Sequence, residues 1–221
     1  MNRAPLSPTD RSTVRRVKSR AVTDRCALDA VLDNGLVCHL AVIRDGAPVV
    51  LPTGYGRDGD TLYLHGSAGA HSLRIAEGTE VCAAVTLLDS VVYARSVFHF
   101  SMNYRSAVIH APVRHVIAES ERLHALRVIV EHLAPGSWSH AREPNRKELA
   151  ATAVLALDLT ESSVKVRSGG PADEPEDVAA GVAWAGVLPV QAVWDAPIPA
   201  DDLLGRTDVP AHVLRRCGAG R

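Results

Sequence analysis

Residues 36–67 read "LVCHLAVI", "RDG", "APVVLPTGYG", "RDGD" and "TLYLHGS", three β-prone runs separated by two very short Gly-containing connections. A parallel crossover takes about a dozen residues or more, so these runs can only pair antiparallel, as a meander of hairpins. That constraint removes the doubly wound parallel sheet, which needs strands and helices in alternation.

The remainder fits around the meander. "TDRCALDAVLDNG" (23–35) has a capping Thr23 or Asp24, apolar Leu28, Val31 and Leu32 at helical spacing, and Gly35 as a stop. "EVCAAVTLLDSVVYA" (80–94) and "NYRSAVIHAPVRHVI" (103–117) read as long strands, the second interrupted at Pro112. The strongest helix lies over 119–134, with Leu123, Leu126, Val130 and Leu133 on one stripe. "PGSWSHAREPNRKEL" (135–149) reads as a polar loop, and 151–169 returns to β. "GGPADEPEDVAA" (169–180) behaves as an acidic linker or surface loop. Six or more mostly antiparallel strands with two or three helices suit a small β-barrel with peripheral helices, because closure removes sheet edges. The organisation expected is a basic arm (1–20), one domain (21–204) and a C-terminal tail (205–221). The arm holds Arg3, Arg11, Arg15, Arg16, Lys18 and Arg20 against Asp10. It reads either as mobile or as a strap on a partner subunit or ligand.

Composition narrows function by exclusion. A net charge of −1 and 4% aromatic residues supply neither the basic footprint nor the stacking platforms of a nucleic-acid binder. No apolar run approaches a secretory signal or a membrane span, so the expected location is the cytoplasm. The four cysteines form no C-x-x-C pair, and the ten histidines form no H-E-x-x-H cassette, so no metal site is expected.

Three constellations could carry chemistry. The corner from His65, Gly66 and Ser67 to His71, Ser72 and Arg74 gathers hydrogen-bond donors with little bulk. It is either a tight turn or a phosphate cradle at a helix N-terminus. In "SVKVRSG", Lys165 and Arg167 share one strand face, as an anion site or as a solvated edge. In "FHFSMNYRSAVIHA", His99, Ser101 and Asn103 lie on one side, with Tyr104 and Ser106 on the other. His65 and Tyr104 are the candidates for acid/base work, and His65 is also a candidate axial ligand.

Taken together, "TVRRVKSRAVTD", "DGAPVVLPTGYGRDGDTLYLHGS", "YRSAVIHA", "KELAATAVLALDLTESSVKVRSG" and "WAGVLPV" resemble the pyridoxamine 5′-phosphate oxidase-like flavin-binding proteins. The likeness is greatest to the subgroup of nitroimidazole-resistance proteins, and runs from Thr13 to Leu203. The resemblance implies an α+β, mainly β fold: an antiparallel split β-barrel with peripheral helices, forming a homodimer with FMN in a groove between subunits. It implies that backbone groups of Pro52, Thr53, Gly54 and Tyr55 line the isoalloxazine. His65, Gly66 and Ser67 would stand beside the ribityl phosphate, with Lys165 and Arg167 meeting cofactor or partner and Trp184 near the ring. Where the family commonly has Ser followed by Arg or Lys, this chain has Ala70 and His71. The implied activity is an FMN-dependent oxidoreduction of a small organic substrate. The alternatives are a flavin-binding protein without turnover, a heme-binding split barrel, and a dimeric scaffold with an empty groove.

Overall fold

A computed structural model describes residues 4–69, 75, 77–205 and 208–217. Its strands are β1 (Ala21–Val22), β2 (Val37–Arg44), β3 (Ala47–Asp58), β4 (Thr61–Ser67) and β5 (Glu80–Tyr93). They continue as β6 (Ser101–Pro112), β7 (Arg114–His115), β8 (Thr152–Asp158), β9 (Ser162–Arg167) and β10 (Gly186–Pro189). All pairings are antiparallel, in the order β1-β9-β6-β5-β2-β3-β4-β8-β7, with β10 added to β5. The expected split barrel with peripheral helices is therefore present.

Alternation along the strands sorts side chains into an inner and an outer face. Leu40 and Val42, Leu62 and Leu64, Ala83 and Val85, Ala107 and Ile109, and Leu155 and Leu157 fill the barrel. Helix α1 (Arg25–Asn34) closes one end with Leu28, Val31 and Leu32. The Asp24 carboxylate caps it by accepting from the Cys26 N–H at 2.9 Å. At its other end the buried Tyr55 hydroxyl lies 2.6 Å from the Leu32 carbonyl and 2.9 Å from that of Gly35. One proton is thus shared between two carbonyls that the helix leaves unpaired.

Helix α2 (Glu119–Leu133) lies outside the barrel, burying Ala125 and Ile129 against Tyr63, Val154 and Ala156. Its close approach explains Gly56, because a Cβ there would stand 2.7 Å from the Ile129 nitrogen and 2.8 Å from its Cα. Backbone cannot yield as a side-chain tip can.

Two segments are more ordered than their composition suggests. The polar loop at 135–149 contains the start of α3 (Arg146–Ala150), which opens on a capping box between Asn145 and Glu148. The acidic stretch holds α4 (Pro175–Ala180), and just before it the nearly inaccessible Asp173 carboxylate accepts 2.9 Å bonds from the Arg95 backbone and guanidinium. The N-terminal arm is docked on the barrel of its own chain. Leu6 is buried in the barrel core, Ser7 N–H donates to Ser162 O at 2.8 Å, and Arg11 pairs with Glu161 at 2.6 Å and Glu80 at 2.9 Å. A composition rich in arginine signals mobility only while the carboxylates that receive it are out of view. The last helix, α5 (Ala211–Leu214), packs its Gly136-facing His212 near the end of α2.

Gly56→Ala is expected to lower stability by about 1–3 kcal/mol through overpacking against α2. Gly54→Ala, whose Cβ would come no closer than 3.5 Å to Leu133, should change it by well under half as much. Urea midpoints for the two variants make the comparison.

Candidate functional site

The meander is incomplete by design of its register. Strands β3 and β4 pair only from Tyr55↔Leu64 to Asp58↔Thr61. Beyond that point β3 continues along β2, through Gly54↔Val37 to Ala47↔Arg44, while β4 continues along β8 to Ser67↔Thr152. Among the described residues, the edge of β3 away from β2 is left open from residue 47 to 54, and the facing edge of β4 from 65 to 67. Pro48 and Pro52 lie on that β3 segment. Proline donates no ladder hydrogen bond, so these positions belong to the open side.

The site residues separate by face. Pro52 pairs with His39 and Gly54 with Val37, and both point outward, in phase with Gly56 under α2. His65 and Ser67 are in phase with Tyr63 and emerge on this same outer surface, across the parting from Gly54. The side chains of Thr53 and Tyr55 are in the opposite phase, and Tyr55 is wholly buried. Tyr55 offers a ligand its backbone only, while the half-buried Thr53 hydroxyl donates to the Gly54 carbonyl at 3.3 Å. Gly66 contributes backbone as well. His71, Ser72 and Arg74 lie outside the described residues.

His65 is the most informative side chain. Its Nδ1 is buried and has no hydrogen-bond partner among the described residues. An unsatisfied buried nitrogen is uncommon in a native structure, which makes this ring one to account for. Burial lowers the basicity of the ring, favouring neutral imidazole. That form can ligate a metal or accept a proton. Sequence patterning identifies His65 as a strand histidine; its orphaned nitrogen is visible only in three dimensions.

The other candidates stand elsewhere on the outer surface. The register Pro52↔His39↔Ala84↔Val108↔Ser163 crosses five strands on one face, and Lys165 and Arg167 extend it at the β9 end. Tyr104 lies on this face opposite Leu88 and Arg167. Arg167 is held by the Asn103 amide oxygen and, at 3.3 Å, by Gly170 O. Asn103 itself faces inward and donates to Ser90 Oγ at 2.8 Å. Trp184 packs edge-on against Tyr93, centroids 5.6 Å apart, at the far end of β5. Within the chain it stands apart from the open edge of β3.

A feature absent from the sequence reading is a cleft of about 690 Å³ where β5 passes from β2 to β10. It is lined by Leu36, Leu88, Arg105, His132 and Trp194, among others. His132 stacks on Tyr55 at 4.9 Å and donates through Nε2 to Gly35 O at 2.7 Å. Among the described residues no group of three His, Cys, Asp or Glu side chains could hold a metal ion. No helix among them is long and apolar enough to cross a membrane.

Residues 24–166 match the family described as pyridoxamine 5′-phosphate oxidase. The chain belongs to that family. Within the pyridoxamine 5′-phosphate oxidase fold, it is similar to the flavocytochrome Anf3 from Azotobacter vinelandii. Identity is 36% over 97% of this chain and 100% of that one, with a TM-score of 0.90. It is also similar to an FAD and heme binding protein from Mycobacterium smegmatis, at 40% identity over 90% of this chain and 98% of that one, TM-score 0.86. A 5-nitroimidazole resistance protein from Bacteroides thetaiotaomicron shares the fold at 20% identity, over 66% of this chain and 86% of that one, TM-score 0.55. No curated protein gives a match.

The pH dependence of stability follows from the buried imidazoles. Burial holds both His65 and His132 below the ordinary histidine value. The unfolded chain therefore takes up protons near pH 6.5 that the folded chain resists. Stability of the cofactor-free protein should fall as pH drops from about 7.5 to 5.5, and His65→Gln should flatten that slope in urea titrations. The ion-paired Glu148 and Glu161, both lowered to about 2, act in a separate window below 4.5.

Proposed function

We propose that this protein is a homodimeric redox protein that binds flavin and heme, the flavin along the open edge of β3 and the heme iron through His65. The observation that carries the reading is the parting of β3 from β4 with the half-buried ring of His65 on the outer face at its mouth. Two relatives with 36% and 40% identity, described as a flavocytochrome and as an FAD and heme binding protein, support the pair of cofactors.

The residues fit a flat, conjugated ligand. Pro52 and Gly54 give a low strip of backbone, and a Cβ at Gly54 would meet nothing closer than 3.5 Å, so packing within the chain does not demand glycine there. Ser67 and the backbone of Gly66 can donate to the polar side chain of a flavin. Bound flavin would supply hydride or single-electron transfer, and heme single-electron chemistry. The chain's part is to orient these groups, keep water from them and hold His65 uncharged. FMN, implied by the family resemblance, and FAD share the ring and first phosphate that this edge would grip.

A second copy is the favoured partner. The outer surface leaves Val97 90%, Phe98 85% and Trp184 68% exposed, together with Phe100, Met102 and Leu188. Contiguous apolar surface of this kind marks an interaction site. A face-to-face pair with its two-fold axis along the strands would place the Lys165 end of one sheet over the β3 end of the other. The substrate class proposed is a small organic acceptor, with a reduced nicotinamide or similar donor.

An absorption spectrum of the purified protein is expected to show twin flavin bands, released by acid, and one intense heme band. His65→Ala should abolish the heme band and leave the flavin bands, and light scattering should give about twice 23.5 kDa. A protein that takes up neither FAD, FMN nor hemin on titration sinks the proposal.

A further inference from the structure

The cleft of about 690 Å³ between β5 and the segment that follows β10 has the size of a small-molecule site. We infer that it binds a flat, uncharged aromatic molecule with a carbonyl or hydroxyl at its edge, lying against Trp194. Neither flavin nor heme is needed for such a ligand to bind.

Among the described residues, each charged side chain that lines the cleft already has a partner. Asp33 takes two bonds from Arg57, at 2.7 and 2.8 Å, and Asp89 takes the fork of Arg105, the shortest at 2.7 Å. Glu131 accepts from the Gly136 and Trp138 N–H groups at 2.7 and 2.9 Å. Arg216 donates to the Leu133 carbonyl at the end of α2. His132, kept neutral by burial, donates to Gly35 O. A charged ligand would shed its hydration here and meet no ion waiting for it, at a cost that an uncharged one avoids.

The apolar surface, by contrast, is left uncovered and is held in place. The Arg216 guanidinium lies 4.0 Å over the Trp194 ring, so its bond to the end of α2 also ties down the indole. The indole stays 42% exposed, with Leu88 45% and Val193 70% exposed on the same lining. A fixed indole is a ready surface for a second aromatic ring. The wall at Leu88 is shaped by a β-bulge: the β5–β6 register shifts between Leu88 and Ser90, with Asp89 as the extra residue. Bulges re-aim side chains and recur beside binding sites. The Val190 N–H donates to Asp89 O at 3.0 Å, which fixes the start of the segment carrying Gln191, Val193 and Trp194. Thr86 and Gln191 add a neutral hydroxyl and amide to the lining, groups that can donate to a carbonyl or hydroxyl oxygen.

Probes of one shape separate charge from fit: acetylnaphthalene is uncharged, naphthoate an anion and naphthylmethylammonium a cation. The full-length protein as purified would be titrated with each by calorimetry. Trp194→Leu, Val193→Asp, Val193→Lys and, as a control outside the cleft, Ile117→Asp would be titrated alongside. Wild type is expected to bind the uncharged probe at least about tenfold more tightly than either ion. Trp194→Leu should lose that affinity by roughly the same factor. Val193→Asp should turn the preference toward the ammonium and Val193→Lys toward the carboxylate, while Ile117→Asp matches wild type. Val193 is already exposed, so neither charge should unfold the chain, and urea midpoints check this. Wild type that binds no probe, or all of them alike, overturns the inference, as do Val193 variants that keep the wild-type preference. Wild type that takes no probe while Val193→Asp halves the mass in light scattering also overturns it, and makes the cleft a contact between copies.

Discussion

The contact on which the rest depends is the crossing of α2 over β3 at Gly56. There a helix backbone lies directly on a strand backbone, with no Cβ between them. The crossing presses β3 against β4 for four rungs of ladder, and Ile129 and Tyr63 seal it on the outer side. Past the end of α2 at Leu133, each strand follows its other neighbour among the described residues. The opening is therefore a consequence of where a helix stops.

The same region ties the site to the core. Tyr55 occupies the rung at which the strands part, and its hydroxyl satisfies the C-terminal end of α1. His132 stacks on that ring and donates to the same Gly35 carbonyl. Burial pushes the Tyr55 hydroxyl above the ordinary phenol range, so it stays protonated and able to donate. The position of Gly54 and Pro52 is thus set by a rigid knot of backbone and aromatic contacts, and a ligand would find the strip already in shape.

Much of this was legible in the sequence, since hairpin turns and alternation act locally. The meander, α1, α2 and the shared face of Lys165 and Arg167 all follow from patterns of period two or 3.6. The docking of the arm was not legible, because Leu6 and Arg11 gain meaning only from Glu80, Glu161 and the barrel core, far away in sequence. The Arg95–Asp173 pair hid the order of the acidic stretch in the same way. At the site, the family resemblance set the backbone of Pro52 through Tyr55 along the flavin ring and His65, Gly66 and Ser67 beside its phosphate. The register divides them, sending Thr53 and Tyr55 inward and leaving Pro52, Gly54 and His65 on the surface.

An open strand edge ordinarily invites another strand, and chains that leave one exposed risk assembling without limit. Here Pro48 and Pro52 interrupt the row of donors along that edge, so an incoming strand would find too few hydrogen bonds to hold it. The prolines that shape the groove therefore act also as a safeguard on the newly made chain. Before anything fills the gap, it can remain open in a crowded cell without seeding fibrous aggregates.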